Sequence, residues 1–174
     1  MGVTLISDDR SSRQLYTVVR RILDGNMICA MATTMESGVT HINNAFFCFD
    51  HDLALYFLSH PASDHARNIQ RTGDLAVAVC DGSQPWGQQQ AGLQFAGLAE
   101  AAAGPVEQTA RQCYSARFPL YTEFIERRLH AGAAKPSFFH LRFYAFRPAS
   151  LRIMAEADFG DEVLVDAQVS TGGR

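Results

Sequence analysis

Three residues with the chemistry to hold a phosphate fall within five positions: Ser63, His65 and Arg67, in the run Ser63-Asp64-His65-Ala66-Arg67-Asn68-Ile69. They follow the apolar stretch Leu55–Leu58 and the break Ser59-His60-Pro61, the pattern of a strand that ends at a proline turn and passes into a helix. A helix start presents backbone N–H groups without intrahelical acceptors and the positive end of the dipole, which together suit an anion. Ser63 is placed to cap that helix, and His65 and Arg67 would add charged donors. The same residues also suit a capped surface helix with solvated charges. Taken alone, the segment leaves both readings open.

A second polar feature interrupts a hydrophobic strand at His41-Ile42-Asn43-Asn44-Ala45. Adjacent asparagines are poor strand residues, and burying an amide without partners costs about 1–3 kcal/mol. Either they face solvent at the rim of a sheet, or their side chains and backbone line a polar ligand. The glycine-rich dinucleotide loop, the P-loop lysine motif and the G-x-S-x-G elbow are all missing. Cysteines 29, 48, 80 and 113 form no C-x-x-C pair and read as structural thiols of a reducing, cytoplasmic compartment. The six histidines show no metal-ligand spacing, so no metal site is expected.

The elements that must carry these residues can be read in order. Leu15, Val18, Val19, Ile22 and Leu23 form the stripe of an amphipathic helix over Ser11–Asp24, stopped at Gly25. Strand signals follow over Asn26–Met35, Val39–Phe49, Leu53–Leu58 and, after the short helix at 63–72, Leu75–Cys80. Alternation in Val39–Phe49 puts His41, Asn43, Ala45 and Phe47 on one face and Ile42, Asn44 and Phe46 on the other. Leu53–Leu58 and Leu75–Cys80 both read as too apolar to have a wet face. Asp81–Gln90 is a loop holding the sole tryptophan, Trp86, and Gly92–Ala103 alternates as another strand. Pro105 opens a helix at its first position; a second helical piece is expected over Tyr121–His130, an aromatic strand over Phe138–Phe146, and a short last strand at Val163–Val165. Residues 1–10 and 168–174 are expected as loose tails. Strands arriving mostly as hairpins, with helices set between them, predict a mainly β, α+β domain over 11–167: a six-stranded antiparallel barrel with covering helices.

Composition agrees with one globular domain. The chain has 174 residues, 47% hydrophobic and 19% charged, with a net charge of −3. That charge gives no electrostatic footprint for nucleic acid. No apolar run approaches the roughly 18 residues of a membrane span, and Met1-Gly2-Val3-Thr4 reads as neither a secretory signal nor a myristoylation site.

The order of these motifs resembles the pyridoxamine 5′-phosphate oxidase-like family of FMN-binding split barrels. The residues that carry the resemblance are Ser63-Asp64-His65-Ala66-Arg67-Asn68-Ile69, Gly92-Leu93-Gln94-Phe95-Ala96-Gly97 and Tyr114-Ser115-Ala116-Arg117-Phe118-Pro119, within residues 11–150. The resemblance implies an FMN-dependent oxidoreductase, a homodimer with flavin sites at its interface, and an unidentified small substrate. It assigns the phosphate to Ser63, His65 and Arg67, the ring edge to Asn43, Asn44 and Ala45 largely through their backbone, and further polar contacts to Ser59, Asn68 and Gln94; Trp86 either stacks over the ring or plugs its own loop. His65 replaces a lysine common in the family, a weaker and pH-dependent cation. Lys135 is the only lysine, so true pyridoxamine 5′-phosphate oxidase activity is not expected. The alternatives are a flavin-binding module without catalysis and a haem-binding split barrel with His130 or His140 as ligand.

Overall fold

The computed structural model describes residues 3–8, 10–123 and 140–171. Its strands are β1 (Val3–Ile6), β2 (Ile28–Thr34), β3 (Thr40–Phe49), β4 (Leu55–Ser59), β5 (Asp74–Cys80), β6 (Ala91–Ala101), β7 (Arg142–Ala155) and β8 (Leu164–Thr171). The helices are α1 (Ser12–Asp24), α2 (Asp64–Thr72), α3 (Gly104–Arg117) and the single turn α4 (Glu156–Phe159). All pairings are antiparallel, in the order β1-β8-β7-β4-β3-β2-β5-β6, and a further pairing of β6 with β7 closes six of the strands into a barrel.

Closure depends on β7. Its first part, Arg142–Phe146, pairs with β4, while Ser150–Met154 has moved on to β8, and β6 accompanies it along both parts. The change of direction falls at a bulge between Ala96 and Gly97. A Cβ built on Gly97 would lie 2.2 Å from the carbonyl oxygen of Arg147, so only glycine admits the approach of the two backbones.

The stripe of α1 enters the barrel core, where Leu15, Val18, Val19, Ile22 and Leu23 join Phe47, Phe57, Leu93, Phe146 and Ile153. Arg117, at the end of α3, caps α1 from across the fold, donating to the carbonyls of Leu23 at 2.7 Å and Asn26 at 2.5 Å. A second cluster packs Ala110 and Tyr114 of α3 on Cys48, Tyr56, Phe143 and Ala145. With core on one face and α3 on the other, β4 is buried on both, as its unbroken apolar sequence requires.

Three expectations are corrected. The ends of the described chain are not loose: β1 pairs with β8 from Val3↔Thr171 to Ile6↔Gln168, and Leu5 is buried. Leu5 gains a core position only through a partner more than 160 residues away, which local pattern cannot show. The last strand accordingly runs well past Val165. β5 does have an outward face, because its apolar appearance came from Ala76 and Ala78, which are exposed between the buried Leu75, Val77 and Val79. The aromatic strand starts at Arg142; Phe138, Phe139 and most of the expected helix 121–130, with His130, lie outside the described residues.

Ala76 and Ala78 belong to a broad face. With Ala30 and Ala32 of β2, Ile42 and Phe46 of β3 and Ala96 and Leu98 of β6, they form an outer surface that the described elements leave largely open, with Phe118 after α3 touching only its edge at Phe46. Ile42 is 68% exposed, Phe46 52% and Leu98 60%. Among the described residues no helix is long and apolar enough to cross a membrane.

Candidate functional site at the start of α2

Helix α2 begins where β4 runs out. Ser63 caps it, its hydroxyl accepting from the Ala66 N–H at 3.4 Å, and Gly73 ends it in the left-handed region at φ 78°. Two side chains fix it against β2: Asn68 donates from Nδ2 to the Thr33 hydroxyl at 3.0 Å, with both residues buried, and Arg71 donates to the Thr34 carbonyl. The helix therefore has one orientation, its N-terminus aimed at the upper part of β3.

Four polar side chains meet there. The Ser59 hydroxyl, buried at the end of β4, lies 2.9 Å from the Ser63 hydroxyl and 2.5 Å from Nε2 of His65. That same Nε2 lies 3.2 Å from the Ser63 oxygen. The His65 ring stacks on His41 of β3, with centroids 6.0 Å apart and planes 15° from parallel. Burial disfavours the charged imidazolium most and the like charge of His41 adds to it, against a smaller opposing effect of Asp64, so the His65 pKa is lowered. The seat thus holds a neutral imidazole and two hydroxyls, and an arriving anion would favour protonation of the ring.

β3 presents the rest of the site. Its ladder with β4 covers only Phe47–Phe49 against Leu55–Phe57. Above that point this edge of β3 turns toward α2. Asn43 shares a face with His41 and half-buried Ala45, and its Oδ1 is buried without a hydrogen-bond partner. A buried amide oxygen left unsatisfied is costly. It is an acceptor in want of a donor. The arrangement can bind a phosphate at the helix start and a donor group at Asn43.

Ser59, Ser63 and His65 are therefore brought together, while Asn43 and Ala45 lie along the same face of β3 as His41. Asn68 is beside them but committed, since its amide donates to Thr33. Asn44 points the other way, exposed on the outer face between Ile42 and Phe46. Arg67 is turned back on its own turn of chain, donating to the Ala62 carbonyl and to Asp64 Oδ1 at 2.5 Å, and both ions are largely exposed. Gln94 faces outward opposite Ala78, and Trp86 stands 96% exposed beyond the far end of β5. His41 stands on the face of Asn43, as the alternation of β3 indicates, though sequence alone assigned it no role of its own. Thr33 was not singled out by sequence; it needs the β2–β3 register, which sets it opposite His41.

A family model described as pyridoxamine 5′-phosphate oxidase matches residues 17–155. The chain belongs to the pyridoxamine 5′-phosphate oxidase-like split-barrel family. Solved structures of similar fold include a haem-binding protein from Mycobacterium smegmatis, with a TM-score of 0.67, 13% identity, and coverage of 89% of this chain and 56% of that one. A protein from Clostridium acetobutylicum, related to general stress protein 26 of B. subtilis and described under the pyridoxinephosphate oxidase family, has a TM-score of 0.61 and 9% identity. It covers 89% of this chain and 94% of its own. HutZ, the haem storage protein from Vibrio cholerae, has a TM-score of 0.56 and 15% identity, with 75% and 87% covered. This chain spans little more than half the length of the mycobacterial structure. No curated protein matches it in sequence. In this family, the α2 start and the β3 edge are the parts of the split barrel where this chain concentrates its buried polar groups.

Proposed function

We propose that this split-barrel protein binds FMN at the start of α2 and is an FMN-dependent oxidoreductase acting on a small substrate. The observation that carries the reading is the convergence of Ser59, Ser63 and His65 on a helix N-terminus, beside the unsatisfied Oδ1 of Asn43. Ser63, His65 and the first-turn N–H groups would hold the phosphate. Asn43 would accept from a ring N–H or a ribityl hydroxyl, and the free edge of β3 at Asn44 and Ala45 would meet the ring through backbone groups. FMN, when bound, supplies the electron and hydride chemistry; the protein binds and orients it. Titration with FMN and with riboflavin tests the seat: FMN binds more tightly, and equal affinities would overturn the phosphate assignment.

The chain is further proposed to be a homodimer. The outer face of β2, β3, β5 and β6 is alanine-rich and also carries exposed Ile42, Phe46 and Leu98. Contiguous apolar surface of this kind marks interfaces, and a self-complementary two-fold contact would bury about 800 Å² on each copy. Sedimentation at micromolar concentration decides this, a monomer being the adverse result.

Haem is the second reading. It is favoured by His140, whose ring lies edge-on to His60 with centroids 6.3 Å apart at the foot of β7. A Soret band on adding haem, lost in His140→Ala, would support it over flavin.

A further inference from the structure

The four cysteines divide into two that stand alone and two that face each other. Cys29 points into the barrel core from β2, its thiol donating to the Ala45 carbonyl at 3.7 Å. Cys80 is exposed on the outward side of β5. Cys48 and Cys113 are placed differently. Alternation along β3 sends Phe47 into the barrel core and Cys48 to the opposite face, into the cluster beneath α3. From α3, Ala110 and Cys113 meet it, three residues apart and so neighbours on one side of the helix.

The contacts are reciprocal. The Cys48 thiol donates to the Ala110 carbonyl of α3 at 3.9 Å, and the Cys113 thiol donates to the Phe49 carbonyl of β3 at 3.8 Å. Each sulfur lies against the backbone of the other's element, and the two thiols are within interaction range of one another. Burial is the main cause that holds both above the ordinary thiol pKa, so the pair rests as two neutral thiols. Cys48 is closed off at 1% exposed, whereas Cys113 is half-buried, and solvent reaches the pair from the Cys113 side. Beyond Cys113 on the same helix, Arg117 lies over the rings of Phe47 and Phe49, the two neighbours of Cys48. It also donates to the Leu23 and Asn26 carbonyls at the end of α1. A bond between the two sulfurs would therefore fix α3 on the barrel beside the cap it provides for α1.

We propose that Cys48 and Cys113 form a dithiol that a peroxide converts into a disulfide, a reversible staple fastening α3 to β3. The Cys113 sulfur attacks one oxygen of hydrogen peroxide; the O–O bond breaks, leaving a sulfenic acid and one water. The Cys48 sulfur then attacks the Cys113 sulfur, the S–O bond breaks, and the departing hydroxide takes the Cys48 proton as a second water. The dithiol gives up two electrons and the peroxide accepts them. Cys29, on the core face of the sheet, and Cys80, on the outside of another strand, are both turned away from this pair. The staple is independent of the flavin reading, since none of its atoms belongs to the α2 site.

The test uses the folded full-length chain with Cys80→Ser, which removes the exposed thiol. After treatment with hydrogen peroxide, free thiols are counted by alkylation in denaturant. Three should become one, and dithiothreitol should restore all three. Adding Cys113→Ser should leave the two remaining thiols intact under the same treatment. Cys48→Ala should instead stop the reaction at a sulfenic acid on Cys113, trapped there by dimedone. The oxidised chain should melt several degrees higher than the reduced one, a gain absent from the treated Cys113→Ser protein. Three thiols surviving peroxide overturn the proposal, as does a disulfide that persists in Cys113→Ser. A disulfide that forms without raising the midpoint overturns the staple. If Cys48→Ala fails to fold, the Cys113→Ser comparison still decides the pairing.

Discussion

Nε2 of His65 lies 2.5 Å from the Ser59 hydroxyl oxygen, at the point where β4 hands the chain to α2. His65 is thereby a half-buried, hydrogen-bonded imidazole, stacked on His41 and held below its ordinary pKa of about 6.5. Its ionisation consequently couples folding and ligand binding in opposite directions.

Without ligand, the folded protein binds fewer protons at His65 than the unfolded chain does near pH 6.5. Stability should therefore fall as pH drops through that value, and His65→Gln should remove part of the slope, measured by urea midpoints. With FMN the sign reverses. The phosphate favours the imidazolium, so FMN affinity should rise severalfold between pH 8 and pH 6 while riboflavin affinity stays flat. His65→Lys should abolish that difference by supplying a permanent cation. A parallel pH profile for both flavins would remove His65 from the phosphate seat.

Asn68 and Thr33 form a buried pair at 3.0 Å that sets the angle of α2 on the barrel. Asn68→Ala leaves the Thr33 hydroxyl without its donor and should cost about 1–3 kcal/mol in urea unfolding. Because the pair aims the helix start, the variant should also bind FMN less tightly. Lost stability with unchanged FMN affinity would show that the helix keeps its aim by other contacts.

What the sequence made legible follows from how local each signal is. The stripe Leu15–Leu23, the Ser63 cap and the His41–Phe47 alternation each act within a few residues, and each is found in place. The outward face of β5 was hidden because alanine counts as apolar yet is small enough to leave exposed. β1 was hidden because the strand it pairs with, β8, lies at the other end of the described chain. Within the site, residue types were readable but commitments were not. Nothing in the order of residues reveals that the Asn68 amide is spent on Thr33, that Arg67 is folded onto Asp64, or that Arg117 caps a helix more than 90 residues before it.

Gly97 is where β6 bends past β7, with the Arg147 carbonyl 2.2 Å from any added Cβ and the Pro148 Cα at 2.8 Å. Both obstacles are backbone, so neither can turn aside. Gly97→Ala should destabilise the barrel by at least about 2 kcal/mol and lower its thermal midpoint by several degrees. Ala96→Gly, at the adjacent exposed position, should cost only about 0.5–1 kcal/mol. Equal effects at the two positions would mean that the bulge relaxes freely.

Asp64 occupies the first turn of α2, where a carboxylate is favourable to the helix dipole, and it holds the guanidinium of Arg67 at 2.5 Å. The same carboxylate is unfavourable to a phosphate seated at that terminus. The two roles can be separated by Asp64→Asn. Losing a negative charge near the helix start should cost about 0.3–1 kcal/mol of stability, while FMN should bind more tightly, because repulsion is relieved and Arg67 is free to turn toward the phosphate. Riboflavin, lacking the phosphate, should show no gain. Arg67→Ala should lower FMN affinity more in the Asp64→Asn background than in the wild type, where the arginine is already engaged. A double-mutant cycle on the FMN dissociation constant measures this coupling. Additive effects would show that Arg67 does not reach the phosphate in either protein.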